Sequence, residues 1–249
     1  MRQNRPLVWL WGLALAGLFS TLLMAGTEIA ALPALMQTTA QATGSVTEPV
    51  TATPIALPSP LCVAPAKPTT AQTEGPFYKA GSPERASLLE PGLKGVPILI
   101  TGYVLATDCT PIAHAWLDFW QADASGKYDN QGYRLRGHLY TDQTGQFTLT
   151  TIMPGEYSPR TVHIHVKIQA LGGPVFTTQF YFPNVAANGR DTIFSPDLVL
   201  SLLDTQSGKI VTATPLAKSA AIQSPTPAAT QDVNATPVIY TINVVVKTR

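Results

Sequence analysis

Charged side chains are scarce in this chain. Sixteen Lys and Arg and fifteen Asp and Glu make up 12% of its 249 residues, about half the share of an ordinary globular domain. The basic residues are scattered and the net charge is +1, so no nucleic-acid footprint is present. Part of the deficit comes from Thr/Ala/Pro-rich stretches near both ends of the chain. Amphipathic helical periodicity beyond a few turns is missing, and so is any internal repeat, which argues against helical bundles and solenoids. Cysteine is nearly absent, with Cys62 and Cys109 the only two. With 45% hydrophobic residues, the chain can still bury one sizeable core.

The N-terminus reads as a targeting segment. Arg2 and Arg5 precede the uncharged, strongly apolar run Leu7 to Gly26, whose length is near the ~20 residues that span a bilayer. The basic flank orients the following chain outward. Residues 1–34 are therefore a signal peptide, cut after Ala31 or Ala34, or an uncleaved membrane anchor. No cysteine follows the run until Cys62, which argues against a lipoprotein anchor. Export to an oxidising compartment favours a Cys62–Cys109 disulfide. Closing a loop of that length contributes on the order of 4 kcal/mol in the chain-entropy account.

Residues 35–60 read as a Thr/Ala/Pro-rich linker, and residues 61–249 as one domain. Within that domain, runs rich in β-branched and aromatic residues predict strands at Pro97–Leu105, Ala115–Gln121, Gln146–Ile152, Thr161–Ile168 and Val175–Phe182. Turn signals such as Asp142-Gln143-Thr144-Gly145 separate them. Residues 212–237 are a low-complexity loop, and residues 238–247 a returning strand that cannot bury its apolar face alone. The fold class these signals give is all-β, a sandwich or barrel.

The run from Thr161 to Ile168 alternates strictly. Val162, Ile164, Val166 and Ile168 face one way, and His163 and His165 the other. Two imidazoles side by side on a strand can hold one metal ion. Tyr157 lies six residues before the first histidine, and further tyrosines lie upstream. Phenolates are hard, anionic donors suited to ferric iron. A ferrous oxygenase would instead pair two histidines with a carboxylate, and none stands in the His163–Lys167 run.

Three pieces carry a family resemblance: QTEGPFY near residue 75, LDFWQADASGKY ending at Tyr128, and PGEYSPRTVHIHVKI from Pro154. From about Cys62 to about Leu203 the chain resembles the intradiol ring-cleavage dioxygenases, ferric enzymes that open catechols. The resemblance implies a two-sheet β-sandwich with the metal site between the sheets. It places the Fe(III) ligands on Tyr128, Tyr157, His163 and His165, with Tyr157 the ligand that leaves when substrate binds. Arg160 falls on an active-site arginine that stabilises negative charge, and Gln179 on a glutamine that orients substrate. The implied reaction inserts both atoms of O₂ into a catechol-type aromatic and gives a muconate-type diacid.

Blander assignments exist for each piece. Tyr133 and Tyr140 compete with Tyr128, which is chosen on motif position. His114 and His138 lack metal-like spacing and read as structural or exposed. Trp116 and Trp120 read as packing residues, and Glu74 as part of the chain's entry into the domain. The competing function is a zinc- or copper-binding extracellular module, or one with no catalysis. The tyrosines argue against zinc, whose usual donors are Cys, His, Asp and Glu. The expected partners are the aromatic substrate, O₂ and, if the N-terminal segment stays uncleaved, a membrane. A homo-oligomer is left open.

Overall fold

The computed structural model describes residues 59–204, 207, 209–211 and 236–248. The targeting segment, nearly all of the 35–60 linker and most of the 212–237 stretch lie outside the described residues. Ten strands follow in order: β1 (Pro97–Ala106), β2 (Trp116–Gln121), β3 (Arg136–Tyr140), β4 (Gln146–Ile152), β5 (His163–Gln169), β6 (Phe176–Tyr181), β7 (Ser201–Asp204), β8 (Lys209–Val211), β9 (Val238–Thr241) and β10 (Val244–Val246). The described residues include no α-helix, only two short 3₁₀ turns.

The strands form two sheets. The larger runs β10-β1-β9-β7-β8, with β4 pairing antiparallel along β1, and the smaller runs β3-β2-β5-β6. β9 and β10 both lie parallel to β1, at Ile98–Thr101 and at Val104–Ala106. The returning segment is thus two short strands with a break at Ile242. Gly102 of β1 sits at that break, where a Cβ would fall 1.7 Å from the Ile242 carbonyl oxygen. Only glycine lets the two backbones approach so closely.

The inner faces of the sheets make one core. Ile98, Ile100 and Val104 of β1 meet Phe147 and Leu149 of β4, Leu117 and Phe119 of β2, and Ile164, Val166 and Ile168 of β5, all essentially inaccessible. Each such side chain stabilises by about 1.5–3 kcal/mol relative to exposure. Strands β3, β7 and β8 were not anticipated from the sequence. β3 reads Arg-Gly-His-Leu-Tyr and turns one large apolar side chain, Leu139, to the core, too little alternation to stand out. The other two are four and three residues long.

The alternation of β5 places the isoleucines and valine in this core and the histidines on the opposite face. The expected position of the metal site, between the sheets, is therefore incorrect. His163 and His165 lie on the outer face of the smaller sheet, where a polar cluster displaces none of the apolar packing. They are nevertheless 4% and 3% exposed, because a strap of chain covers them. That strap starts at the larger sheet, where Ala66 N–H donates to Thr107 O and Thr69 N–H to Val245 O. It then crosses to β6, where Gln72 N–H donates to Thr177 O. Cys62, just ahead of the strap, is joined by a disulfide to Cys109, across 47 residues.

Candidate metal centre

Register brings three strands to one point. Trp120 of β2, His165 of β5 and Gln179 of β6 are in line across the sheet, as are His163 and Tyr181. Trp120 lies parallel to the His165 ring at 4.7 Å and 9°, which fixes that imidazole's plane. The Thr161 carbonyl accepts from His163 Nδ1 at 2.6 Å, so the proton sits on Nδ1 and the Nε2 lone pair points inward. His163 Nε2 and His165 Nε2 face each other at 3.1 Å.

Two loops add the tyrosines. The Asp123 side chain accepts from Ser125 N–H and Lys127 N–H at 2.8 and 3.0 Å, shaping the turn into Tyr128. Asp129 accepts from the N–H groups of Gln131, Gly132 and Arg134 and shapes the turn out of it. The Asp123 carbonyl takes both Gly126 N–H and Gly155 N–H, at 3.0 and 2.8 Å, tying the Tyr128 loop to the Tyr157 loop. Tyr128 Oη stands 3.5 Å from His163 Nε2. The Tyr157 ring meets the Tyr128 ring edge-on at 6.0 Å, and Phe77 of the strap stacks on Tyr128 at 4.3 Å and 13°. No sequence signal marked Asp123 as the link between the loops.

Arg160 is anchored rather than free. Its Nε donates to Asp191 Oδ2 at 2.9 Å, and its Nη2 donates to Gln179 Oε1 and to Tyr181 Oη. Gln179 Nε2 in turn donates to the strap carbonyl of Thr73 at 2.8 Å. Asp191 Oδ2 also accepts from Thr161 N–H, so one carboxylate sets both Arg160 and the start of β5. Asp191 and Tyr181 escaped the sequence reading, since a lone acid in Asn-Gly-Arg-Asp-Thr has no distinguishing pattern. Glu74 pairs with Lys167 of β5. His138 on β3 bonds to Ser82 and exposed His114 to Gln143, both away from the cluster.

Burial governs the electrostatics of the cluster. Burial pushes His163 down to about 4, against the opposing pull of the Thr161 carbonyl. His165 is pushed well below its ordinary value by burial, with His163 and Arg160 adding to the effect. Burial drives Tyr128 upward, despite the positive charges of Arg160 and Arg136. His165 Nδ1 is buried with no hydrogen-bond partner, although the Thr73 carbonyl is near enough to favour its proton. Neutral imidazoles are what a metal needs, and a metal's own charge reverses the upward push on a phenol. Two nitrogens about 2.1 Å from one ion and about 90° apart lie about 3 Å from each other, the separation seen between the two Nε2 atoms. The residues therefore fit a metal ion.

The class that the fold and the cluster define is a two-sheet β-sandwich whose smaller sheet carries two histidines and two nearby tyrosines beneath a strap of chain. The Dioxygenase_C family, described as dioxygenase, matches residues 73–223, and the chain belongs to it, among the intradiol ring-cleavage dioxygenases. The dioxygenase domain of a dioxygenase–carbohydrate-binding fusion from Streptomyces sp. SirexAA-E is 39% identical, covering 74% of this chain and all of that one at a TM-score of 0.58. The 3-chlorocatechol 1,2-dioxygenase of Rhodococcus opacus 1CP, 24% identical over 73% of each chain at a TM-score of 0.57, shares the fold. A hydroxyquinol 1,2-dioxygenase of Rhizobium sp. MTP-10005 is 29% identical over 48% of this chain. A chlorocatechol 1,2-dioxygenase of Cupriavidus pinatubonensis JMP 134 is 28% identical over 53% of it. The matches span 50% and 64% of those two curated relatives' own lengths.

Proposed function

We propose that this protein is a non-haem Fe(III) intradiol dioxygenase that cleaves a catechol-type aromatic between its two hydroxylated carbons, incorporating both atoms of O₂, to give a muconate-type diacid. The observation that carries this is the convergence of His163 Nε2, His165 Nε2 and Tyr128 Oη, with Tyr157 edge-on to Tyr128. Tyr128, Tyr157, His163 and His165 would hold the iron, which when bound makes the catechol ring reactive toward O₂. The relatives' names, hydroxyquinol and chlorocatechol 1,2-dioxygenase, support a catechol-type substrate.

The chain's own residues have distinct tasks in this reading. Tyr157 is half-buried, and its Oη would take a proton from a substrate hydroxyl. The Arg160 guanidinium, held by Asp191, Gln179 and Tyr181, would stabilise negative charge building on the substrate's oxygens without having to reorganise. Gln179 acts through Arg160 and the Thr73 carbonyl, as a positioning residue more than a direct contact. Trp120 and Phe77 keep water from the imidazoles and from Tyr128. The Cys62–Cys109 disulfide supports a site of action outside the cytoplasm, secreted or membrane-anchored.

The purified, iron-loaded full chain should be red to brown from tyrosinate-to-iron charge transfer, and the band should move when catechol is added. Oxygen uptake should match ring-cleaved product mole for mole. A colourless protein holding zinc or copper at full occupancy overturns the reading. So does a coloured one that consumes no O₂ with any catechol.

A further inference from the structure

Arg136 of β3 is 2% exposed and, among the described residues, has no carboxylate in ion-pair contact. Its Nε and Nη2 donate to Asp129 O at 3.1 and 2.9 Å, and its Nη1 to Phe77 O at 2.6 Å. A guanidinium has five N–H groups, so two remain. Asp129 and Asp118 act on it only through space. Asp129's oxygens are taken by three backbone N–H groups, and Asp118's by Ser82 and Tyr78. Lys79 repeats the pattern: its Nζ donates to the carbonyls of Gln131 and Gly132 and lies over the Tyr133 ring at 4.3 Å. It too lacks a carboxylate within ion-pair distance among the described residues.

Both cations line one open cleft of about 450 Å³, together with Pro76, Phe77, Tyr78 and Asn130. No acid is among the six. A buried cation is normally matched by an anion, and the cleft that Arg136 and Lys79 line is open to solvent. The wall opposite in character is apolar, made of a proline and two rings. Arg136 is in register with Trp120, and Trp120 with His165. The cleft therefore lies two strand spacings, about 10 Å, from the imidazoles, with Phe77 standing between it and Tyr128.

We propose that this cleft binds an aryl carboxylate, the carboxylate on Arg136 and Lys79 and the ring or chain against Pro76, Phe77 and Tyr78. The carboxylate has two sources: the side chain of a catechol substrate reaching out of the metal centre, or a separate small molecule. Only the first source rests on the ring-cleavage reading.

The test has two arms. In the first, metal-free full chain is titrated with benzoate by calorimetry. Saturable binding is expected, weakened roughly tenfold, the worth of a lost charge-assisted hydrogen bond, in both Lys79→Met and Arg136→Lys. Arg136 also supports the Phe77 and Asp129 backbone, so Lys79→Met decides if the other variant fails to fold. Absent benzoate binding, or binding that Lys79→Met leaves unchanged, overturns the cleft. In the second arm, the iron-loaded chain is given 3-(3,4-dihydroxyphenyl)propanoate and its methyl ester. A KM lower for the acid by roughly tenfold makes the substrate the source. Equal KM values with benzoate bound support the cleft with a free carboxylate as occupant. Benzoate binding without turnover of any catechol upholds the cleft and removes the ring-cleavage reading instead.

Discussion

At the scale of single residues, the two histidines are buried where a proton on either would be costly. His163 takes up a proton near pH 6.5 when unfolded but only near about 4 when folded. Its neutral form thus stabilises the fold fully above 6.5, and that contribution declines as pH falls from 6.5 toward 4. The span is worth on the order of 3 kcal/mol, and His165 shifts in the same direction. Metal-free protein should accordingly show a lower urea midpoint at pH 5 than at pH 7.5, and a midpoint that does not fall contradicts the burial argument. His165→Ala removes one of the two convergent nitrogens. It should abolish tight iron binding, read as iron per chain and as loss of colour, while circular dichroism keeps the β-signature. The histidines and tyrosines were legible because strand alternation and two local motifs marked them. Asp191 and Tyr181 were not, since they reach Arg160 through folding of segments 21 to 31 residues away, and nothing local records that.

Among the elements, β1 is the strand on which the larger sheet is assembled, pairing with β4 on one edge and with β9 and β10 on the other. Gly102 is the point where the second pairing tolerates a break. Gly102→Ala would drive a methyl group into the Ile242 carbonyl, so β9 and β10 must shift away from β1. A loss of several kcal/mol, in the upper range for single substitutions, should appear in thermal unfolding. A stability within about 0.5 kcal/mol of wild type would mean the two backbones are not so close. The long strands β1, β2, β4, β5 and β6 were evident from their apolar periodicity. β3 escaped because its outward side chains, Arg136 and His138, serve a polar surface hidden beneath other segments. A sequence cannot distinguish such a surface from one facing water.

For the molecule as a whole, the sparse charge has a structural use. Five charged side chains gather at the outer face of the smaller sheet, in Arg160–Asp191, Lys167–Glu74 and Arg136. The sandwich class was legible, but the depth of the site was not. Alternation tells which residues share a face, and the cover over that face comes from a distant segment. Replacing Cys62 with Ser opens a cross-link spanning 47 residues and should cost about 4 kcal/mol in the chain-entropy account. An unchanged melting temperature between Cys62→Ser and the parent would show that the link bears no load at equilibrium. Its mechanical role is separate. A pull applied to the chain ahead of residue 59 meets Cys62 first and is carried through sulfur to Cys109, before it can reach Thr73 or Phe77. The bond acts as a cable clamp, so a pull from ahead of residue 59 strains the body of the sandwich and leaves the cover over the histidines slack.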